Sequence, residues 1–435
     1  CVFSSVVTRF QMWHRQRRIV CRLDELKPEF PRDQWPKVEL LWTHYLEPPS
    51  LSREPLEYAL NMDYPPEKLV LTIGDDGYHV RKEGAKGPPS PEQYEVTDIG
   101  LEMEQVIRAT LSERLKAGEE LTETRQVVQA AEHRKDGRPE GAPGGLTIIE
   151  FRGPGLPLVK LAGRMKGEVT YSRAGNIENG VWNSLETDAS FMALLDVDMR
   201  PDPQFMKLML TPFFHLSPGL AGESAKDTDS SSPPPLSSCA AQSALPQAPV
   251  ARVSHEDVGK VSPAEPAKWV PNWKVGWTSS PQYFDNIESI YGTEDPLNQM
   301  NKLYWQIYPA AADREGLVHF WGTNSIFFVP ALKDSGGFVY GCITEDNATS
   351  YKMHQMGWSS VFVHERLAIG LSRQTVTETL DQRKRWLMGN IQQLMAGWDI
   401  PFMHASFRNA PYRKSMRDRF RQLRVEDGLS LGGQK

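Results

Sequence analysis

The sequence predicts an α/β domain built on a parallel sheet, and three observations carry that expectation. A strand-like run, Lys37 to Thr43, leads through a Pro-rich loop into a helix-like stretch, LSREPLEYALNM, and then into a second apolar strand, VLTIGDD. Strand, helix and strand in that order favour parallel pairing. Two apolar runs, LVLTI and FMALLDVDM, close on acidic residues, and open parallel sheets bind ligands at the carboxyl ends of their strands. The chain has 435 residues, 40% of them hydrophobic, which is enough to bury a large core.

The elements follow in order. Residues from about Gly100 to Ala131 read as a polar amphipathic helix. Glu132 to Gly145 is a charged, Gly/Pro-rich loop. A second folded block runs from Leu146 to about Leu216, and a third, rich in aromatics, from Trp269 to about Trp398. Between them, residues 217–267 are rich in Ser, Pro and Ala with few large apolar side chains. Such a stretch buries too little surface to offset its ordering entropy and reads as a disordered insertion. The organisation expected is a basic segment over residues 1–36, a folded domain over 37–398 containing both weak segments, and a basic tail over 399–435.

A formal net charge of -6 makes no case for nucleic acid binding. Positive charge gathers at the ends, with Arg9, Arg15, Arg17, Arg18 and Arg22 at the start and Arg408, Arg413, Lys414, Arg417, Arg419, Arg421 and Arg424 near the end. Solvated tails have this composition too. The four cysteines, Cys1, Cys21, Cys239 and Cys342, have no zinc or redox spacing, which argues for a reducing compartment and against a disulfide framework. No stretch reaches the ~18 consecutive apolar residues of a transmembrane helix. The apolar start, Cys1 to Val7, runs straight into the basic cluster, as the cytosolic end of a spanning helix would. This reads as a fragment cut where a membrane begins.

The acids suggest chemistry. Asp75 and Asp76 close a buried strand and precede Gly77, although Asp-Gly is also a common turn. Asp196 and Asp198, at i and i+2 in an extended segment, point their carboxylates to one face. Such a pair suits Mg2+ or Mn2+, although for a lone D-x-D a solvated loop is the favoured explanation. Thr344, Glu345 and Asp346 stand at a helix start, with Thr344 as N-cap and Gly357 as the stop. Thr375 and Glu378 form a capping box that opens a further helix. On that helix Val376, Leu380, Leu387, Ile391 and Leu394 make one apolar stripe, expected to anchor it. Gln382, Arg385 and Trp386 share the opposite side. An indole can stack on sugar C–H groups and a guanidinium can hold a diphosphate. A second core around Trp386 is the alternative.

Taken together, Asp75-Asp76-Gly77, Asp196-Val197-Asp198, Thr344-Glu345-Asp346 and Gln382-Arg383-Lys384-Arg385-Trp386 resemble, in that order, the motifs of the processive family 2 glycosyltransferases, cellulose synthases in particular. YPPEKL, AGNIENG, PDPQFM and FWGTNSIFF are similar to family sequence as well. The resemblance implies a GT-A, Rossmann-like fold with a mixed, mostly parallel central sheet and a C-terminal amphipathic interface helix. It implies an inverting, processive transferase that makes a β-linked polysaccharide, a β-1,4-glucan from UDP-glucose. Chitin, hyaluronan, mannan or mixed-linkage glucan synthesis, or an inactive scaffold role, are the alternatives.

By motif, Asp346 would be the general base. Asp75, Asp76, Asp196, Arg173, Gln382 and Arg385 would bind the nucleotide sugar. Asp196 and Asp198 would hold Mg2+ or Mn2+. Trp386, Trp321, Gly322 and Thr323 would meet the acceptor. The partners implied are a UDP-sugar donor, a growing glycan, flanking transmembrane helices and a multi-subunit synthase complex. The domain would lie on the cytosolic face of the plasma membrane or Golgi. Two departures stand out: the T-Y-N-E-type element is Thr43-His44-Tyr45-Leu46-Glu47, and Arg173 replaces a lysine before AGN.

Overall fold

Strand Val38–His44 (β1) lies between Leu69–Asp75 (β2) and Phe191–Asp196 (β6), parallel to both, in a computed structural model of the chain. The described residues are 18–26, 29–87, 89–128, 145–166, 172–217, 268–272, 274–287, 295, 297, 305, 307–339 and 342–396. Leu158–Arg164 (β5) pairs parallel to β2. These four strands form the middle of a nine-stranded sheet.

Antiparallel strands extend it on both sides. On one side lie Leu146–Arg152 (β4) and Thr122–Val128 (β3). On the other, Ser325–Phe328 (β8) pairs with β6, and Val275–Ser279 (β7) pairs with β8. Ser359–Phe362 (β9) closes that edge, parallel to β7. The order is β9-β7-β8-β6-β1-β2-β5-β4-β3, the mixed, mostly parallel Rossmann-like sheet expected. Every residue of β2 is buried, as in a sheet covered on both faces. Trp42, Leu71, Leu161, Leu194 and Phe327 lie in one contiguous core.

Two local expectations need correcting. The helix expected over Gly100 to Ala131 spans Asp98–Ser112, and Thr122–Val128 is a strand. All seven residues of β3 are exposed. A sheet edge with both faces in water shows no hydrophobic alternation, and its charges read as helical polarity. The run FMALLDVDM also ends sooner than expected: the strand stops at Asp196, and Val197 and Asp198 form a turn.

The loop at 132–145 lies outside the described residues save for Gly145, and the insertion at 217–267 save for Ser217. The insertion's base is described: Phe214–Ser217 pairs antiparallel with Lys268–Pro271, so the chain leaves and re-enters the domain at adjacent points. Among the described cysteines, Cys342 is buried and free, whereas Cys21 is disulfide-bonded, counter to the reducing compartment that the cysteine spacing suggested. Among the described residues, no helix is long and apolar enough to cross a membrane.

Candidate active site

Parallel register brings the carboxyl ends of β1, β2 and β6 level. His44 pairs with Asp75, and Thr43 pairs with both Gly74 and Asp196. The first acid pair is engaged from within the protein. Asp75 is fully buried; its Oδ1 lies 2.9 Å from His44 Nδ1 and accepts the Gly77 amide at 2.7 Å. His44 Nε2 faces the Glu47 carbonyl at 2.8 Å. His44 thus has an oxygen before each ring nitrogen; burial opposes its charge, but Asp75 and the Glu47 carbonyl outweigh burial and raise its pKa. Asp76 is also buried and takes two bonds from Arg164, to Oδ1 at 2.7 Å and Oδ2 at 2.5 Å. Burial pushes its carboxyl up, against the opposing charge of Arg164. Lys166 lies over the Tyr45 ring, 4.2 Å from its centroid. Sequence reasoning passed over Arg164, Lys166 and His44, because their partners come from other strands.

Arg173, on the helix Ser172–Asn179, ties four segments together. Its Nη2 donates to Asp196 Oδ1 and to the Gly322 carbonyl, both at 2.5 Å, and its Nε to Thr43 Oγ1 at 3.1 Å. Its Nη1 lies 3.5 Å from Glu345. Burial works against this guanidinium, but Asp196, Glu345, Asp346 and Asp198 outweigh it and raise its pKa. Asp198 Oδ2 accepts the Leu371 amide at 2.9 Å. Burial and then the Asp196 charge push its carboxyl up to about 6.

The Thr-Glu-Asp segment opens the helix Glu345–Gln355. Thr344 is the N-cap by position, but its side chain makes no capping bond. Its Oγ1 instead accepts from Gln393 Nε2 at 2.6 Å. Burial, then the neighbouring Glu345 charge, push the Asp346 carboxyl up to about 7. Asp346 Oδ1 accepts the Asn347 amide at 2.7 Å.

The loop before β8 fits against these acids. Thr323 Oγ1 accepts the Asp196 amide at 2.9 Å. Gly322 has φ +92, and a β-carbon there would stand 3.0 Å from Arg173 Nη1 and 3.1 Å from Asp346 Oδ2. Positive φ and close approach both call for glycine.

The last helix, Val376–Ala396, begins with the expected capping box between Thr375 and Glu378. It docks by the face opposite to the one expected. Val376, Leu380 and Leu387 are all at least 60% exposed, and Ile391 is exposed as well. Thr379 and Gly389 are buried, and Gln382, Trp386 and Gln393 are half-buried on the same side. The stripe therefore does not anchor the helix; Gln392 Oε1 accepts the Ile343 amide, Gln393 Nε2 donates to the Thr344 carbonyl and hydroxyl, and Gly389 approaches closely, and these contacts do. The side chain of Leu394 lies outside the described residues. Arg385 is exposed, and its charge reaches Glu345. The structure thus gathers Asp196, Asp198, Asp346, Arg173, Gly322 and Thr323 around one centre, with the Gln382–Trp386 segment docked beside them. Asp75 and Asp76 are engaged instead by His44 and Arg164.

Residues 274–422 match the family model described as "Glycosyl transferase family group 2". Over 230 residues the chain is 28% identical to a UDP-forming cellulose synthase catalytic chain of Dictyostelium discoideum. These stretches are similar to the family 2 glycosyltransferases. A second relative, the UDP-forming cellulose synthase catalytic chain of Komagataeibacter sucrofermentans, is 31% identical over 90 residues. These matches cover 53% and 21% of this chain but only 16% and 12% of the relatives, so it spans a small part of their length. The mannosyltransferase PcManGT of Pyrobaculum calidifontis, solved with GDP-Man and Mn2+, superposes at a TM-score of 0.46 with 12% identity, covering 94% of this chain and 76% of that one. That likeness is too loose to bear on function.

Proposed function

We propose that residues 37–398 transfer a hexose from a UDP-sugar to a growing β-linked glycan with inversion, with UDP-glucose as donor and a β-1,4-glucan as product. The observation that carries the reading is the meeting of Asp196, Asp198, Glu345 and Asp346 around Arg173, beside the helix that holds Gln382, Arg385 and Trp386. The UDP-forming cellulose synthase relatives support the choice of sugar and nucleotide.

In this reading the acceptor sugar rests on Trp386 and beside Trp321, Gly322 and Thr323. Asp346 takes the proton of the acceptor hydroxyl as that oxygen attacks the anomeric carbon. The new C–O bond forms while the bond to UDP breaks, and the electron pair leaves with the diphosphate. Arg385 and Gln382 meet the charge that develops there, in a site where preorganised donors count for more than in water. A carboxyl held near neutrality by burial is suited to the base role. Asp75 and Asp76 support donor binding indirectly, by fixing the turn that follows β2.

Asp196 and Asp198 are hard oxygen donors, adjacent and mutually repelling, and suit Mg2+ or Mn2+. Among the described residues no group of three His, Cys, Asp or Glu side chains is placed to hold a metal ion by itself, so donor phosphates would complete the shell. A bound cation would supply charge stabilisation for the leaving diphosphate.

The exposed apolar face of the helix Val376–Ala396, with the basic segments 1–36 and 399–435, would hold the domain against a cytosolic membrane surface of the plasma membrane or Golgi, within a larger synthase. The deciding experiment is a calorimetric titration of UDP, then UDP-glucose, with and without Mn2+. Metal-dependent binding that is lost in Asp198→Ala is expected. Folded protein that binds neither ligand would overturn the reading in favour of a scaffold.

A further inference from the structure

The aromatic side chains beside the proposed acceptor site are joined by a residue that none of the sequence motifs contains. Trp305 is 7% exposed. Its ring stands edge-on to Trp386, with centroids 6.3 Å apart at 82°, and edge-on to Trp321, at 5.9 Å and 81°. These two partners come from different parts of the molecule: Trp386 from the last helix, Trp321 from the loop before β8. Tyr308, at the start of the helix Tyr308–Asp313, buttresses Trp321 from a further direction at 6.4 Å.

The contact reaches the proposed base. Gly322 follows Trp321 directly, and a β-carbon on it would come within 3.1 Å of Asp346 Oδ2. A shift of Trp321 therefore moves the backbone packed on Asp346, and a shift of Trp386 moves the surface on which the acceptor ring would rest. Trp305 touches both indoles and is itself buried. Edge-on aromatic pairs have a preferred geometry and resist tilting as well as separation. Transfer needs the acceptor hydroxyl within about 3 Å of the anomeric carbon, and a misplacement of ~1 Å costs on the order of a hundredfold in rate.

We infer that Trp305 is a positioning residue that fixes the spacing and tilt of Trp386 against Trp321, and with them the alignment of the acceptor sugar on Asp346. The inference rests on the reading of this site as a glycosyltransferase centre in which Trp386 carries the acceptor. It assigns no contact between Trp305 and the donor, so loss of its ring should separate acceptor from donor behaviour.

The test compares wild type, Trp305→Ala and Trp305→Phe by UDP affinity with Mn2+, by affinity for a β-1,4-linked glucose hexamer in the presence of UDP and Mn2+, and by acceptor KM and kcat for transfer. The result expected is UDP affinity within twofold of wild type in both variants. Trp305→Ala should weaken hexamer binding and raise acceptor KM at least tenfold, and Trp305→Phe, which keeps an aromatic edge, should recover most of the loss. In a Trp386→Ala background the further change to Trp305→Ala should cost less than twofold, because the ring it positions is gone.

Unchanged hexamer affinity and KM in Trp305→Ala, with UDP binding intact, would overturn the inference while leaving the transferase reading in place. So would a full additive loss in the double variant. If Trp305→Ala loses UDP binding and its cooperative melt, Trp305→Leu, which fills the space without an aromatic edge, decides: a raised acceptor KM at unchanged UDP affinity supports the inference, and wild-type values overturn it. Wild-type protein that binds no UDP overturns the transferase reading, and the inference with it.

Discussion

Gly389, in the middle of the last helix, packs so closely on Thr344 that a β-carbon on it would overlap the threonine hydroxyl. This contact joins the Gln-x-x-Arg-Trp helix to the Thr-Glu-Asp segment, with Gln393 bonded to the same hydroxyl one turn later. Gly389→Ala should therefore displace the helix. In an isolated helix the change would stabilise by about 1 kcal/mol, whereas overpacking costs about 1–3 kcal/mol. The expected outcome is a large fall in transfer with UDP affinity near wild type. Transfer at the wild-type rate would show that the helix tolerates displacement.

Arg173 holds Asp196, the Gly322 carbonyl, Thr43 and Glu345 at once. Arg173→Lys keeps the charge but replaces a planar fork with a single ammonium, which cannot reach four partners together. Losing one hydrogen bond between charged groups costs about 2 kcal/mol, roughly thirtyfold in an equilibrium constant. Nucleotide-sugar affinity and transfer should both fall by that order. A lysine variant with unchanged UDP-glucose titration would mean that Arg173 is a structural tie and no more.

The sheet was legible where burial is continuous: LVLTI and FMALL carry their apolar runs to the acids at the strand ends, and both became central strands. The edge strand β3 was not, because TETRQVV has no buried face to impose alternation. The four motifs announced their chemistry by residue type, but not their connections. Asp76 pairs with Arg164 at a separation of 88 residues and Asp75 with His44 on a neighbouring strand, and no local pattern encodes either partner. The apolar stripe of the last helix was read correctly as a stripe and wrongly as its anchor, since periodicity names a face without saying what covers it.

His44 offers a pH-dependent stability. Burial opposes its charge, but the Asp75 carboxylate and the Glu47 carbonyl outweigh burial, so its folded pKa lies above the ordinary histidine value. A raised folded pKa gives stabilisation that is complete below the unfolded value, about 6.5, and lost as pH rises through the folded one. Wild type should lose thermal stability over that rise relative to His44→Gln, which has no such titration. Parallel stability curves for the two proteins between pH 6 and pH 9, on the order of three units that span the histidine value, would dispose of the idea.

The exposed leucines of the last helix provide a test of membrane association. Leu380 and Leu387 are each more than 60% exposed on a helix whose other side is docked. Leu380→Glu with Leu387→Glu should leave UDP binding unchanged and reduce cosedimentation with anionic lipid vesicles several-fold, since burial of each side chain is worth about 2 kcal/mol. Equal cosedimentation of variant and wild type would assign vesicle binding to the basic ends alone.

The sharpest prediction concerns two ionisations in one site. Asp198, pushed up to about 6 by burial and Asp196, should hold a divalent cation only when ionised, so Mn2+ affinity should fall as pH drops through that value. Asp346, pushed up to about 7, must be ionised to take the acceptor proton, so transfer at saturating Mn2+ should rise as pH passes about 7. The two steps separate by variant. Asp346→Asn should abolish transfer while UDP still binds with Mn2+ and with the same acid limb. Asp198→Ala should remove the metal dependence of UDP binding. Full transfer activity in Asp346→Asn would remove Asp346 as the base, whatever the metal titration shows. A transfer profile flat from pH 6 to pH 8, about one unit on either side of neutrality, would mean that another step limits turnover or that the base titrates elsewhere.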